Sequence, residues 1–186
     1  MSRLVTAIQA FLVALAMATP LPAVAASYAD PDALDALFSQ LQSAPDADSA
    51  AKITNEIWQV WFTPNVPALA DQMNKSAAAM ATGDVNGAKS ILDQIVATYP
   101  DYAEGWNQRA TLEYETGDLA GSLADIEKTL ALEPRHFGAL SGRVLIYLQQ
   151  GRRDDALKDM IAALAIDPYL SEKQLFPELQ RETHHI

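Results

Sequence analysis

The sequence predicts an all-α protein, a superhelix (solenoid) of helical hairpins stacked side by side. Glycine recurs with a spacing of 34 residues, at Gly83, Gly117 and Gly151. Proline recurs with the same spacing, at Pro100, Pro134 and Pro168. An amphipathic helical segment precedes each glycine, and another lies between each glycine and the next proline. A period of this length, made of two helices and a turn, is the signature of a repeat array.

Composition limits the classes of partner. The chain has 186 residues, a net charge of −11 and 49% hydrophobic residues. This charge disfavours nucleic acid and anionic membrane surfaces as partners, because both are negatively charged. The sequence contains no cysteine, which excludes disulfides, thiol chemistry, cysteine-ligated metal and lipid attachment to an N-terminal cysteine.

The first 25 residues have the three-part pattern of a secretory signal peptide. Arg3 precedes an apolar run over residues 4–17, and Ala23-Val24-Ala25 forms an A-x-A cleavage site. The alternative is an uncleaved membrane anchor, because residues 4–26 nearly reach the length of a bilayer span. Pro20 interrupts that run, so we favour cleavage. The prediction is export, to the periplasm of a bacterium, without stable membrane insertion after cleavage.

Residues 26–68 predict a helical hairpin of their own. Asp30 and Pro31 form a helix start, and Asp46 or Asp48 is expected to cap the second helix. This hairpin lacks the repeat's glycine, so we predict a degenerate first repeat that caps the array. Three repeats follow, at 69–102, 103–136 and 137–170. Their helices are expected at about 69–82 and 85–98, 103–116 and 119–132, and 137–150 and 153–166. A capping box, Ser171 to Gln174, predicts a short C-terminal capping helix in 171–186, kinked or restarted at Pro177, with a frayed tail.

The segment 103–134 resembles a tetratricopeptide repeat (TPR). It has an aromatic residue in its first helix, Trp106, a small residue four positions later, Ala110, and the terminal Pro134. The second helices also match. The small position at which helices touch holds Ala88, Ser122 and Ala156. The large apolar position four residues on holds Leu92, Ile126 and Met160. The resemblance covers residues 69–170 and implies a TPR-type α-α superhelix.

One position departs from the family pattern. Lys75, Arg109 and Arg143 stand where the family usually has leucine. Arg109 can pair with Glu113, four residues on, whereas Arg143 has no such local acid. Two interpretations follow: the arginine stems are buried at an edge with solvated heads, or the arginines point into the groove and meet a partner's carboxylate.

The resemblance implies a concave groove lined by the first helix of each repeat. In the first repeat the groove-facing residues would be Met73, Asn74, Ala77 and Met80. In the second they would be Asn107, Gln108, Thr111 and Tyr114. In the third they would be Ser141, Leu145 and Leu148. This lining lacks the lysines of the family's carboxylate clamp, so a mixed apolar and hydrogen-bonding segment is expected. The alternative for Met73 and Met80 is packing against Trp58, Trp61 and the N-terminal hairpin.

No catalytic, cofactor or metal motif is present. His136 is expected to be a hydrogen-bonded turn residue, and the adjacent His184 and His185 make a poor metal site without a third ligand. The leading hypothesis is therefore an exported, non-enzymatic module that binds a segment of a partner protein. A self-associating scaffold or homo-oligomer of the cell envelope is the alternative, motivated by the aromatic hairpin and the apolar C-terminal helix. A metal- or His136-dependent hydrolase is a remote third.

Overall fold

The computed structural model describes residues 28–180, which form helices joined by short turns. The helices are α1 (Pro31–Gln42), α2 (Ala47–Phe62), α3 (Pro67–Ala81), α4 (Val85–Thr98), α5 (Ala103–Thr116), α6 (Leu119–Leu132), α7 (Phe137–Gln149), α8 (Arg153–Ile166), a 3₁₀ helix (Ser171–Leu175) and α9 (Pro177–Gln180). The helices expected in the three repeats are each found within two residues of their predicted bounds. The signal-peptide prediction for 1–25 and the tail prediction, with His184 and His185, lie outside the described residues.

Local sequence signals explain where the helices begin. Asp30 accepts hydrogen bonds from the backbone N–H groups of Asp32 and Ala33, and Asp46 accepts one from Ser49 at 2.8 Å. These bonds satisfy N–H groups that have no partner within the helix. The hydrogen bond to the Ser49 backbone also lowers the pKa of Asp46. Asp46, not Asp48, is therefore the cap of α2.

The 34-residue period corresponds to two kinds of turn. Within each repeat, the glycine that ends the first helix adopts a left-handed backbone conformation. Its φ is 73° at Gly83, 86° at Gly117 and 73° at Gly151. At the end of each repeat lies a second kind of turn, at 99–102, 133–136 and 167–170. Each closes with a hydrogen bond from the N–H of its last residue to the C=O of its first residue. Proline is the second residue of each, the position that its fixed φ suits. We call these three the inter-repeat turns.

Packing within the array follows the residues identified from the sequence. The helix pairs α3–α4, α5–α6 and α7–α8 pack as hairpins, and α4 and α6 pack on the first helix of the next repeat. The small residues Ala88, Ser122 and Ala156 are at most 1% exposed. The large residues Leu92, Ile126 and Met160 are at most 2% exposed. The array therefore has the continuous core expected of stacked hairpins.

The N-terminal hairpin, α1 and α2, is helical as expected but is not placed as a first repeat. A stacked repeat would pack α2 on α3 as α4 packs on α5, and the structure has no comparable α2–α3 packing. The hairpin instead lies along the three inter-repeat turns. The prediction of a repeat that caps the end of the array is therefore wrong in position, because Trp58 and Trp61 of α2 pack against His136 and Phe137 at the second turn.

Contacts with all three turns fix the hairpin. At the first turn, Tyr28 makes edge-to-face contacts with Tyr99 and Tyr102, and the Tyr102 hydroxyl donates to the carbonyl O of Trp61 at 2.6 Å. Burial, together with the nearby charge of Glu104, raises the pKa of Tyr102. The phenol therefore stays protonated and keeps this bond over the physiological pH range.

At the second turn, Arg135 binds Asp35 at 2.6 Å and lies over the ring of Phe38. Trp61 stacks on His136 there. At the third turn, the Thr54 hydroxyl donates to Asp167 at 3.2 Å, and the Tyr169 hydroxyl donates to the carbonyl O of Ala44 at 3.0 Å. The hairpin thus joins all three repeats.

The C-terminal segment covers the last repeat differently from its prediction. Leu170 is at the N-cap of the 3₁₀ helix and makes no side-chain cap bond. The Ser171 hydroxyl donates to Glu172 at 3.2 Å, so the predicted capping box does not form. The helix does restart at Pro177, and Phe176 is fully buried against α7 and α8. Within residues 28–180, no helix is both long enough and apolar enough to cross a membrane.

Candidate partner-binding groove

A cavity of about 570 Å³ lies between α2 of the N-terminal hairpin and the first helices of the second and third repeats, α5 and α7. We call it the groove. Its α2 wall consists of Ala47, Ala50, Ala51, Thr54, Asn55 and Trp58. Its floor consists of Asn107, Gln108, Thr111, Phe137, Gly138, Ser141, Gly142 and Leu145. One end is closed by Asp167, Tyr169, Leu170, Ser171 and Glu172.

Part of the set expected from the sequence lies together here. Asn107, Gln108, Thr111, Ser141 and Leu145 line the groove. Tyr114 is 37% exposed and borders a smaller cavity of about 40 Å³, which shares Asn107 and Thr111 with the groove. The structure therefore places the predicted residues of the second repeat, and two of the third, on one surface.

The remaining expected residues do not line the groove. Met73 is fully buried in a core with Leu69, Leu92 and Tyr102, and Met80 packs against that core. The expectation of groove lining is therefore wrong for Met73. The alternative is wrong for Trp58 and Trp61, which belong to another core, but Phe62 of the N-terminal hairpin does pack against the core that holds Met73. Leu148 packs against the core of the third repeat.

Asn74 is exposed and Ala77 half-buried, and neither lines the groove. The reason is the position of the hairpin. Its wall helix, α2, stands opposite α5 and α7, so the enclosed part of the concave surface begins at the second repeat. The first repeat contributes no residue to this cavity.

The wall on α2 and the closing turn were missed by the sequence analysis. Ala47, Ala50, Ala51 and Thr54 follow helical spacing, so a face of small residues on α2 was visible in the sequence. The role of this face was not visible, because nothing local relates α2 to helices that lie more than 40 residues away. Asp167 begins the third inter-repeat turn and Glu172 lies in the predicted capping box, and neither residue was predicted to line the groove.

A buried polar network lies beneath the floor. Glu104, 1% exposed, accepts hydrogen bonds from His136 Nε2 at 2.9 Å, Asn107 Nδ2 at 3.2 Å and Gln108 Nε2 at 2.5 Å. His136 Nδ1 accepts the backbone N–H of Ala139 and so caps α7. The imidazole is therefore neutral with its proton on Nε2, because one nitrogen must accept and the other must donate.

The network answers two questions left by the sequence. His136 is a buried, hydrogen-bonded turn residue with both ring nitrogens engaged, so it has no nitrogen free to act as a base on a substrate. The side-chain amides of Asn107 and Gln108 turn their NH₂ groups to Glu104, because a carboxylate only accepts. Their amide oxygens, with the second N–H of each amide, are the groups left to an occupant of the groove.

Arg109 and Arg143 do not enter the groove. Arg109 makes two bonds to Asp125, at 2.6 and 2.9 Å, and a third to Asp93 at 3.0 Å. Arg143 makes two bonds to Asp159, at 2.6 and 2.8 Å. Asp125 and Asp159 lie on the second helices α6 and α8, each 16 residues after its arginine. These hydrogen bonds raise the pKa of Arg109 and of Arg143.

Neither interpretation drawn from the sequence describes these arginines. Their heads are neither solvated at an edge nor directed at a partner, because each is tied to the second helix of its own repeat. The expected partner Glu113 is more distant, with 4.0 Å between its Oε1 and Arg109 Nε. Elsewhere in residues 28–180, no group of three or more His, Asp and Glu is arranged to hold a metal ion.

Comparison with known families decides the class of the repeats. A family model described as tetratricopeptide repeat matches residues 74–130 and 107–171. The chain belongs to the tetratricopeptide repeat family. This confirms the resemblance inferred from the sequence and, with the helical hairpins of the structure, the TPR-type α-α superhelix.

Two relatives illustrate the extent of the similarity. A TPR repeat-containing protein of Rhizobium etli is 40% identical over 81 residues, which are 44% of this TPR chain and 40% of that protein. The chain thus matches about two fifths of the length of this curated relative. A crystal structure of MamA aligns with a TM-score of 0.50 and 18% identity, covering 83% of this chain and 84% of that one. At this identity the likeness concerns the fold alone.

Proposed function

We propose that this TPR chain is an exported, non-enzymatic protein-interaction module that binds a segment of a partner protein in the groove between α2, α5 and α7. TPR folds support protein interaction as the general role. The observation that carries the specific proposal is the groove itself. Its volume of about 570 Å³ falls in the range of ligand sites, and its lining mixes small side chains, aromatic rings and amides.

The lining suits a polypeptide more than a compact polar molecule. Small residues on the α2 wall and on the floor, such as Ala51 and Gly142, allow a backbone to approach closely. Amide oxygens on α5 provide acceptors for peptide N–H groups. The apolar side chains of Leu145 and Phe137 provide contact area for an apolar residue of the partner.

Export is the second component of the proposal. It rests on the leader pattern of residues 1–25, with cleavage at Ala23-Val24-Ala25. N-terminal sequencing of the protein recovered from a bacterial periplasmic fraction tests it. We expect the chain to begin at Ala26 or Ser27. Recovery of the uncleaved chain in the membrane fraction would favour the anchor instead.

The self-associating scaffold lacks a comparable observation. The features that suggested it were the aromatic hairpin and the apolar C-terminal helix. Trp61 is 4% exposed against the inter-repeat turns, and Phe176 is fully buried. Both features are thus used within one chain, and light scattering on residues 26–186 tests self-association directly. The hydrolase hypothesis is not proposed, because His136 uses both ring nitrogens.

The groove is tested by placing a bulky side chain on its α2 wall and, separately, on its floor. Peptides selected from a random dodecapeptide display library on residues 26–186 are synthesised and their affinities measured by fluorescence polarisation. Ala51→Trp on α2 and Thr111→Trp on α5 each place an indole in the groove, and we expect each to weaken binding at least tenfold. Ala131→Trp, on an exposed position of α6 outside the groove, is the matched control and should leave affinity unchanged. Equal affinity for all four proteins would exclude the groove as the binding site.

A further inference from the structure

We infer that the groove selects a cationic segment of its partner protein, with a lysine or arginine side chain seated beside Asp167 and Glu172. This inference rests on the proposed function and specifies the chemistry of the occupant. It is carried by the charges that line the groove, by the polar groups left without partners there, and by the aromatic rings near them.

The charges of the lining have one sign. Asp167 and Glu172 line the groove, and among the residues that the structure describes the lining contains no lysine, arginine or histidine. Neither acid belongs to an ion pair among residues 28–180, whereas Asp93, Asp125 and Asp159 each bind an arginine. An unneutralised pair of carboxylates in a recess attracts a cation and disfavours an acidic segment.

Asp167 is held in place for such a contact. It is 4% exposed, accepts the backbone N–H of Tyr169 at 2.9 Å and accepts the Thr54 hydroxyl at 3.2 Å. These bonds fix the carboxylate between α2 and the third inter-repeat turn. A carboxylate offers about four acceptor sites, so two bonds leave capacity for a charged donor.

The other polar groups of the groove are also acceptors. Ser141 is 7% exposed, lines the groove, and its Oγ has no hydrogen-bond partner in the described range 28–180. Helical Ser76 and Thr129, in contrast, each donate to a carbonyl oxygen of their own helix. A buried hydroxyl without a partner is costly, which favours an occupant that supplies one. Asn107 and Gln108 offer amide oxygens as further acceptors, because each amide turns an N–H of its NH₂ group to Glu104.

Lysine and arginine fit this set of groups because their charged heads only donate hydrogen bonds. Trp58, Phe137 and Tyr169 add three aromatic rings to the lining. Rings of this kind attract a cation through their faces and pack against its aliphatic stem. A cationic segment thus matches the carboxylates, the free acceptors and the rings that line the groove.

The test uses the library-selected peptides and counts their charged residues. We expect lysine and arginine to be enriched over aspartate and glutamate relative to the unselected library. For one selected peptide, norleucine in place of its lysine should weaken binding about tenfold, the loss of one charge-assisted contact. Selected peptides without cationic enrichment would overturn the inference while leaving the groove itself intact.

A charge-removing variant locates the contact. Asp167→Asn with Glu172→Gln keeps an amide oxygen for the Tyr169 N–H, and thermal melting monitors the fold. We expect the lysine peptide to bind this variant about tenfold more weakly, and the norleucine peptide to bind both proteins within about twofold. Glu56→Gln with Asp154→Asn removes the same charge from exposed positions outside the groove and should not change either affinity. Equal losses in both variants, or no loss in the first, would overturn the inference. Failure of Ala51→Trp and Thr111→Trp to reduce binding would instead exclude the proposed function.

Discussion

His136 lies flat on Trp61, with 4.1 Å between ring centroids and 7° between ring planes. The two residues are 75 positions apart in sequence, and the contact joins α2 to the second inter-repeat turn. Trp58 approaches the same imidazole edge-on, at 5.5 Å. The imidazole of this turn therefore packs against two indoles and donates a hydrogen bond to Glu104.

Trp61→Ala tests this contact. Truncating a buried aromatic residue leaves a cavity and typically costs about 3–5 kcal/mol. We expect a loss of that size in the free energy of unfolding, measured by urea denaturation. Cleavage by trypsin after Lys52 should accelerate as the hairpin leaves the turns. Ile161→Ala, at a position that is 52% exposed, should stay within about 0.5 kcal/mol of the wild type; an equal loss there would contradict the assignment.

Arg143 and Asp159 provide a double-mutant cycle with an internal control. We expect a coupling energy of about 1–3 kcal/mol between Arg143→Met and Asp159→Asn, because the pair is bidentate and largely buried. Lys75 occupies the equivalent position of the first repeat and binds only Asp71, with both side chains more than 60% exposed. Its coupling should be about 0.5 kcal/mol or less. Equal couplings would show that burial and geometry do not distinguish the pairs.

The stability of the folded protein should depend on pH through the ionisation of Glu113. Burial, followed by the nearby charge of Asp125, raises the pKa of Glu113, and its Oε2 atom has no hydrogen-bond partner. The folded protein therefore holds this proton more tightly than the unfolded chain does. Ionising Glu113 thus lowers stability as the pH rises through its folded-state pKa.

We expect Glu113→Gln to raise the melting temperature at pH 7. The gain should vanish below about pH 4, where the carboxyl of the unfolded chain is also protonated. Glu115→Gln, at an exposed position of α5, should show neither effect. A lower melting temperature for Glu113→Gln at pH 7 would mean that attraction to Arg109 outweighs burial.

Two glycines predict opposite effects of alanine. Gly117 has a φ of 86°, so Gly117→Ala should destabilise the protein by about 1 kcal/mol or more. Gly142 lies inside α7, and an added Cβ would meet Ile126 Cδ1 at 3.7 Å, an ordinary contact. Gly142→Ala should therefore stabilise by about 0.5–1 kcal/mol. Thermal or urea unfolding measures both, and the same sign for the two changes would contradict the prediction.

The array was predictable because its signals are local and repeated. Gly117 ends α5 and Pro134 follows α6 for reasons contained within one repeat. The same glycine and proline recur every 34 residues, so the same helix ends are predicted in the neighbouring repeats. The arginine pairs were predictable in the same way but were missed. Arg109 and Asp125 recur as Arg143 and Asp159 with the same spacing, a relation visible when charges are compared between repeats.

The groove was predictable only in part, since its two sides have different origins. The floor residues Asn107 and Ser141 follow from the family resemblance, which assigns first helices to the concave side. The α2 wall depends on Trp61 meeting His136, and no periodic pattern relates a non-repeat hairpin to distant turns. Met73 was misassigned because a methionine on a first helix suits a core as well as a groove.

The hairpin along the inter-repeat turns has a consequence for how the molecule assembles. Arrays of short repeats complete themselves through neighbours, each unit joining the one just made. Here the hairpin is synthesised well before the third turn that it contacts, since Ala44 meets Tyr169 across 125 positions. Until the second turn is made, Trp58 and Trp61 lack their contacts with His136 and Phe137, so the unfinished chain exposes apolar surface that its folded state buries.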